Sequence, residues 1–268
     1  MKVIITGYSG FLGNFLCESL SKKFEIIKVN LRNIPEQSSN SFGLFFDQFL
    51  KADCIINCAA SLKPKSKDDI FINQDFPSIL TNYLKKNKKN ILLIHISTLN
   101  VLIDARKDFY TITKKNAEEK LKNQNVVIVR LPLVIEKVQN VIQSTGNFKK
   151  IENYLNFNFL PIYPMFFPGH LHNPVEVVKI SDFIEKILSN KDREYLTYNI
   201  LGKEKKSLWD LFFEMATNKN KKTIKISLIL FNKFMPYIIK TNLEKNSSFL
   251  QQLLTIDHSK FEEKKDYL

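Results

Sequence analysis

Disulfide-forming and membrane-spanning features are scarce in this chain. It has three cysteines, Cys17, Cys54 and Cys58, which lie in apolar segments and lack the paired spacing of a zinc site. The longest apolar stretch, residues 226–239, is interrupted by polar residues and a proline and is too short to cross a bilayer. The N-terminus lacks the pattern of a secretory signal. We therefore expect no membrane span, no metal site and a cytoplasmic location.

Arginine is also rare, because only four of the 40 basic residues are arginine and the rest are lysine. The net charge is +13, but the lysines are spread along the chain and no nucleic-acid-binding motif accompanies them. We attribute the charge mainly to compositional bias, with attraction of anionic substrates as the alternative. Nucleic acid is not the expected partner.

Glycine is the third scarce residue type, with seven in 268 positions. Three of them, Gly7, Gly10 and Gly13, fall in one short window directly after the apolar run Val3–Ile5. Because glycine is retained where no side chain fits, the window predicts a tight turn from a strand into a helix. Free N–H groups at the start of such a helix bind phosphate, so the turn is typical of a dinucleotide site. An ordinary tight turn is the alternative, since the spacing is GxxGxxG and not GxGxxG.

Short apolar strands alternate with amphipathic helices through the first half of the chain. This alternation predicts an α/β fold, a Rossmann-type doubly wound parallel sheet with a smaller C-terminal substrate lobe. A helix with Ser207 as its N-cap is expected in that lobe. Strands are predicted at residues 2–6, 25–30, 54–58, 91–97, 126–131 and 195–201, and helices at 11–22, 42–51, 69–87, 110–123 and 207–217.

The alternation of short strands and helices stops after Pro132, where the chain becomes rich in aromatic residues, asparagine and proline. We interpret this change as an insertion that is followed by a return to the sheet. The predicted division is a dinucleotide-binding Rossmann domain at 1–135, a substrate-lobe insertion at 136–172, a return to the Rossmann sheet at 173–201 and a C-terminal substrate lobe at 202–268.

A tyrosine and a lysine at positions i and i+4, Tyr110 and Lys114, share one face of a predicted helix. A phenol holds its proton to a pKa of about 10, and a nearby ammonium would stabilise the phenolate and lower that pKa. Thr98, at the end of the preceding strand, would add a hydroxyl that hydrogen-bonds a substrate oxygen. Alone, the YxxxK spacing also occurs by chance as an exposed tyrosine beside a solvated lysine.

Taken together, these motifs resemble those of the extended short-chain dehydrogenase/reductases, which are NAD(P)-dependent nucleotide-sugar epimerases, dehydratases and reductases. The segment His95–Thr98 followed by Tyr110 and Lys114 looks most like the dTDP-4-dehydrorhamnose reductase branch. The resemblance extends over nearly the whole chain and rests on Thr6–Gly13, Ala52–Ala60, Asn73, His95–Thr98, Tyr110, Lys114, Val129–Pro132 and Ile256–Lys260.

The resemblance implies roles for particular residues. Tyr110 would be the acid/base, Lys114 would lower its pKa and hold the ribose, and Thr98 would position the sugar oxygen. Asn73 would support the active-site helix, with a local cap as the alternative. The resemblance places three further groups at the cofactor: Gly7, Gly10, Phe11, Leu12 and Gly13 at the pyrophosphate, Ala59 and Ala60 along the channel, and Pro132 and Leu133 at the nicotinamide. Strand-end packing is the alternative for the two alanines, and a turn is the alternative for Pro132 and Leu133.

The end of the second strand bears on the choice of cofactor. It lacks the acidic residue that binds an unmodified ribose and carries Arg32, which can pair with a 2′-phosphate. NADP(H) is therefore favoured, while NAD(H) stays open because Asn30 could bond a ribose hydroxyl. A solvated loop is the alternative for Arg32.

The predicted function is an NAD(P)-dependent oxidoreductase that acts on a nucleotide-linked sugar by 4-keto reduction or epimerisation. The resemblance also implies a homodimer through the helices at 69–87 and 110–123. Eleven residues separate Thr98 from Tyr110, fewer than family members usually have, and Leu99 stands where the reductase branch often has an acid. The shortened loops leave a second hypothesis open, a non-catalytic NAD(P)-binding sensor or scaffold protein of the same fold.

Overall fold

A six-stranded parallel sheet forms the centre of the protein. The computed structural model describes residues 1–227 except 33, 36–38, 105, 123, 140, 144–147, 158–160, 168–170 and 191–195. The resemblance motif at 256–260 and most of the apolar stretch at 226–239 lie outside the described residues. The central strands are β1 (Lys2–Thr6), β2 (Glu25–Val29), β3 (Cys54–Asn57), β4 (Leu92–Thr98), β5 (Val126–Leu131) and β12 (Thr197–Asn199).

The remaining elements surround this sheet or form a second lobe. Two short 3-10 helices lie at Gln48–Lys51 and Leu99–Leu102, and one turn of π-helix lies at Phe71–Asp75. The helices are α1 (Phe11–Leu20), α2 (Asn40–Asp47), α3 (Lys67–Ile70), α4 (Phe76–Lys86), α5 (Phe109–Leu121), α6 (Phe148–Leu155), α7 (Val177–Ser189) and α8 (Leu208–Asn218). The short strands are β6 (Val134–Ile135), β7 (Lys137–Val138), β8 (Val141–Ile142), β9 (Tyr163–Phe167), β10 (Leu171–His172), β11 (Val175–Glu176), β13 (Lys206–Ser207) and β14 (Thr223–Ser227).

The strand order is β12-β5-β4-β3-β1-β2, and all neighbours are parallel. The order reverses between β1 and β3, because the chain leaves β1 toward β2 and then returns to β3 on the other side. In open α/β sheets ligands bind beyond the carboxyl ends of the strands at such a reversal. The predicted Rossmann-type fold is confirmed, and the glycine turn lies at its reversal point.

Helices cover both faces of the sheet, as the doubly wound fold requires. On one face α1 and α7 contribute Leu16, Leu20 and Ile184 to a core with Val3 and Ile5. On the opposite face α2 and α4 pack Phe46, Phe76 and Leu80 against residues such as Ile4 and Ile55. Strands buried on both faces read as continuous apolar runs, which is why β1, β3 and β5 were predictable from the sequence.

A separate hydrophobic cluster forms the second lobe, where Phe148, Leu155, Tyr163, Trp209 and Phe212 pack together. The strands β9 and β14 pair in parallel and join the insertion to the later part of the chain. The predicted N-cap of α8 is confirmed, since the Ser207 hydroxyl accepts the backbone N–H of Asp210 at 3.1 Å. The boundaries of the four predicted segments stay predictions.

Two segments predicted as continuous α-helices each contain a turn of another helix type. The helix expected at 42–51 starts at residue 40 and tightens into a single turn at Gln48–Lys51. The helix expected at 69–87 contains a turn of π-helix at Phe71–Asp75, between α3 and α4. Wider turns of this kind occur frequently at functional sites.

Candidate functional site

The glycine turn between β1 and α1 is closely surrounded by backbone. Gly7 has a φ of +68°, a conformation that L side chains rarely adopt. A Cβ at Gly7 would lie 2.6 Å from the backbone N of Ala59, and one at Gly13 would lie 2.2 Å from the carbonyl oxygen of Gly7. The Gly10 N–H donates to that same carbonyl at 3.0 Å. Gly7 and Gly13 therefore stand where no other residue fits.

The start of α1 offers unpaired backbone donors. Gly10 is the N-cap residue in extended conformation, no side chain caps the helix, and its first turn carries no acidic residue. The side chain of Leu12 packs into the core on the α1 side of the sheet. The N–H groups of Phe11, Leu12 and Gly13 and the helix dipole are thus available to an anion. This geometry fits the pyrophosphate of a dinucleotide, as the sequence predicts.

The loop after β3 borders the turn and is fixed by Asn73. Ala59 is buried, and its backbone faces Gly7, whereas Ala60 is exposed. The fully buried Asn73 accepts the Ser61 N–H at 2.7 Å and donates to the Ser61 carbonyl at 2.9 Å. Its amide also donates to the Thr113 hydroxyl on α5 at 3.2 Å. Asn73 thus bridges the channel loop and α5, which favours a supporting role over a local cap.

The helix α5 carries Tyr110 and Lys114 and begins in a well-formed cap. The Asp108 carboxylate accepts the Thr111 N–H at 3.1 Å and the Thr111 hydroxyl at 2.7 Å. Arg106 donates from Nε to the same carboxylate at 2.6 Å, and its side chain is 10% exposed. This buried ion pair sets the position of the first turn of α5, where Tyr110 lies.

Lys114 is fully enclosed, with 1% of its surface exposed. Its Nζ donates to the carbonyl oxygen of Ile96 in β4 at 2.8 Å. Burial lowers the pKa of Lys114 from 10.5 to about 8, while Cys58 and Glu118 act in the opposite direction. The lysine therefore stays mostly charged at neutral pH, next to the carboxyl ends of β3 and β4.

The pKa of Tyr110 is raised, whereas the sequence predicts that it is lowered. Burial, followed by the Asp108 carboxylate, raises its pKa to about 12, and the cation that opposes them is Arg106. The sequence predicts that Lys114 lowers this pKa, but the Lys114 ammonium is directed to the Ile96 carbonyl. In this structure Tyr110 is a protonated phenol at neutral pH, which suits a proton donor.

Thr98 ends β4 and is 7% exposed. Its hydroxyl caps the turn Leu99–Leu102 and accepts the Asn100 N–H at 3.3 Å, a long contact that leaves the hydroxyl proton available. Leu99 is fully buried, so the position beside Thr98 belongs to the core.

The remaining predicted cofactor residues lie on two loops at the ends of β2 and β5. The Arg32 N–H donates to the Asn30 side-chain oxygen at 2.9 Å, and both residues are exposed. Asn30 thus closes its own turn and leaves the Arg32 guanidinium at the surface. Pro132 directly follows β5, and the Leu133 carbonyl accepts the Val175 N–H at 2.9 Å while its side chain packs against the second lobe.

A network of buried polar side chains near the site was not predicted, although its residues lie in the segments that carry the resemblance. The Thr6 hydroxyl donates to Asn57 at 2.6 Å, and the Asn57 amide lies 3.1 Å from Nδ1 of His95. These three residues face one another across β1, β3 and β4 and are fully buried. Burial, followed by the Lys114 charge, holds the pKa of His95 well below its ordinary value. Polar residues near the ends of otherwise apolar strands were the available signal.

Comparisons with known proteins agree with this arrangement. A dTDP-4-dehydrorhamnose reductase from Bacillus anthracis, solved in complex with NADP, superposes with a TM-score of 0.67 at 19% identity, covering 86% of this chain and 85% of that one. A UDP-glucuronic acid 4-epimerase from Bacillus cereus, in complex with NAD, gives 0.63 at 20% identity over 85% and 86%. The chain shares the fold of these two nucleotide-sugar enzymes. The predicted resemblance is thereby confirmed at the level of the fold.

The sequence comparison is narrower. A UDP-2-acetamido-2,6-beta-L-arabino-hexul-4-ose reductase of Pseudomonas aeruginosa is 28% identical over 144 residues, which cover 51% of this chain. The match spans 37% of the length of that curated relative. No family sequence profile matches the chain. In the part of the chain that the structure describes, no helix is long and apolar enough to cross a membrane, and no cluster of three or more candidate ligands could hold a metal ion.

Proposed function

We propose that this protein is an NADP(H)-dependent oxidoreductase that acts on a nucleotide-linked keto-sugar. The observations that support the proposal are the glycine turn at the reversal point of the sheet and, on α5, the buried Lys114 and the protonated Tyr110. The similar structures bind NADP or NAD, and the similar proteins act on nucleotide sugars. Arg32 at the end of β2 favours NADP(H) over NAD(H).

The proposed roles are those that the sequence resemblance implies. The N–H groups of Phe11, Leu12 and Gly13 would hold the pyrophosphate, and Lys114 would hold the ribose. The cofactor, when bound, supplies or accepts the hydride at the sugar carbon. Tyr110 would donate its proton to the keto oxygen as that carbon is reduced, and Thr98 would hydrogen-bond the same oxygen. The ketone thus becomes an alcohol, with one hydride and one proton added.

An assay with a panel of nucleotide-linked keto-sugars tests the proposal. The purified protein should oxidise NADPH with at least one of them, and Tyr110→Phe should lower the rate by about 10²–10⁴-fold because the proton donor is lost. Binding of NADPH should be unchanged in that variant, which serves as the folding control. Wild-type rates in the Tyr110→Phe variant would refute the assigned role of the phenol.

Reduction and epimerisation differ in their consumption of cofactor. A reductase uses one NADPH for each sugar, whereas an epimerase regenerates its cofactor and converts a nucleotide hexose into its isomer. Stoichiometric NADPH oxidation supports the reductase, which we favour because reductases are among the similar structures and the similar sequence. Isomer formation without net oxidation supports the epimerase.

A non-catalytic dinucleotide-binding protein is the second candidate. It is favoured by the short connection between Thr98 and Tyr110 and by the buried Leu99, which leave few residues to contact a sugar. Tight NADPH binding with no turnover of any keto-sugar would support it.

We further propose a homodimer that uses α5. This helix exposes Phe109 and Ile112, three residues apart on one face, at 51% and 39% of their surface. Light scattering after gel filtration should give twice the 31.3 kDa mass of the chain. A monomer at micromolar concentration would contradict this assignment.

A further inference from the structure

Three polar side chains from β4, α5 and β5 meet beneath Lys114. The Ser97 hydroxyl donates to Oε1 of Glu118 at 2.5 Å. Arg130 donates from Nε to both carboxylate oxygens at 3.1 Å and from Nη2 to Oε2 at 2.5 Å. Ser97 and Glu118 are 3% and 7% exposed. We call Ser97, Glu118 and Arg130 the Glu118 cluster.

The Glu118 cluster lies one helical turn beyond Lys114. Glu118 follows Lys114 by four residues, so the two side chains lie on the same face of α5. On the strand the partners are neighbours as well, because Lys114 bonds the carbonyl of Ile96 and Glu118 bonds the hydroxyl of Ser97. Two consecutive residues of β4 therefore hold two consecutive turns of α5.

Three further titratable groups near Lys114 carry no charge at neutral pH. Cys58, the residue directly after β3, has its pKa raised to about 12 by burial, so it remains a thiol. His95 on β4 is held neutral by burial and by the Lys114 charge. Tyr110, on the same helix, keeps its proton. Glu118 is thus the anion among the described groups that act on Lys114, and Arg130 on β5 shares its charge.

We propose that Glu118 is a positioning residue for Lys114. The Glu118 cluster fixes α5 on β4 and β5 and supplies the negative charge that keeps the buried ammonium protonated. The consequence for catalysis rests on the proposed function, in which Lys114 holds the cofactor ribose, whereas the charge relation itself does not. Without Glu118 the buried lysine would lose its proton closer to neutral pH.

The test is a direct titration of Lys114. In protein labelled with 13C at the lysine ε-carbon, Lys114 is the signal that titrates well below the others, and Lys114→Met assigns it. Glu118→Gln, which keeps the shape of the side chain, should lower the midpoint by roughly one pH unit. Glu119→Gln is the matched control, since Glu119 is the next residue on α5 but pairs with Lys122 at the surface. It should leave the midpoint unchanged.

A second variant gives a shift of opposite sign. Arg130→Gln removes the cation that shares the Glu118 charge, so the Lys114 midpoint should rise. A purely structural role of the cluster would not move the midpoint in opposite directions. This variant also decides the matter if Glu118→Gln does not fold. An unchanged midpoint in a folded Glu118→Gln or Arg130→Gln protein would overturn the proposal.

The pH dependence of NADPH binding links the charge relation to function. Loss of affinity on the alkaline side should begin at lower pH in Glu118→Gln by the same interval as the Lys114 midpoint. If the protein reduces no keto-sugar, the titration still judges the role of Glu118, so the two failures are distinguishable. A shifted midpoint with an unshifted binding profile would overturn the functional part of the proposal.

Discussion

Replacing Gly13 by alanine tests whether the glycine turn has no room for a side chain at this position. The added Cβ would lie 2.2 Å from the Gly7 carbonyl oxygen and 2.7 Å from its carbon. Ordinary contacts begin at 3.4 Å, so the turn and α1 would have to separate by more than 1 Å. Because both groups are backbone, no side-chain rotation can relieve the contact.

The magnitude follows from opposing effects. Overpacking of this kind costs about 1–3 kcal/mol, and the better helix propensity of alanine offsets about 1 kcal/mol. We expect a net loss of up to roughly 2 kcal/mol, which lowers Tm by up to about 8 °C. Displacement of one N–H from an anion costs a further 1.5–3 kcal/mol of binding free energy, or about 10–100-fold in the Kd of NADP+.

Thermal unfolding with and without NADP+ measures both quantities. Wild-type protein should gain about 2.7 kcal/mol at a ligand concentration 100 times the Kd, and Gly13→Ala should lose about half of that gain or more at the same concentration. Gly43→Ala is the control, because a Cβ there meets nothing within 4 Å, and it should stabilise the protein by about 1 kcal/mol. Wild-type affinity in Gly13→Ala would refute the close-packed phosphate turn.

Three further predictions concern other parts of the site. Arg32→Ala should raise the Kd of NADP+ about tenfold, a cost of about 1.4 kcal/mol, with little change for NAD+; calorimetry showing equal effects would exclude a contact to the 2′-phosphate. Asn73→Ala should destabilise the protein by about 2–4 kcal/mol in urea unfolding, because the half-buried Ser61 backbone loses both partners. Because the pKa of Lys114 is lowered from 10.5 to about 8, the unfolded chain binds more protons between these values, so this residue makes the unfolding free energy rise with pH there. Lys114→Met should show a smaller slope in that window, and an identical slope would contradict the lowered pKa.

The parts of the fold that depend on local pattern were predictable. The strands β1, β3 and β5 are buried on both faces, so their sequences are continuous apolar runs between turn residues. The Ser207 cap was predictable because a capping side chain acts on the residues that directly follow it. The turn at Gly7 was predictable because glycine is scarce elsewhere in the chain.

The parts that depend on tertiary contacts were not predictable. The sequence predicts a functional role for Lys114 but does not reveal that Lys114 and Glu118 are buried. Their partners Ile96 and Ser97 lie on β4, and no local pattern shows these contacts. The raised pKa of Tyr110 likewise arises from its burial and from Asp108, whose effects depend on how the preceding loop folds back. The sequence spacing places Tyr110, Lys114 and Glu118 on one face of α5, but their protonation depends on how they pack in the folded protein.

The proposed reaction, hydride transfer from NADPH to a nucleotide-linked keto-sugar, can be followed directly by isotope labelling. NADPH that carries deuterium at the transferring position of the nicotinamide would be incubated with the protein and nucleotide-linked keto-sugars, and the sugar product analysed by mass spectrometry. We expect one deuterium on the carbon that bore the keto group in the wild-type product, and much less of this product with Tyr110→Phe. Tight NADPH binding with no deuterium in any sugar would contradict it.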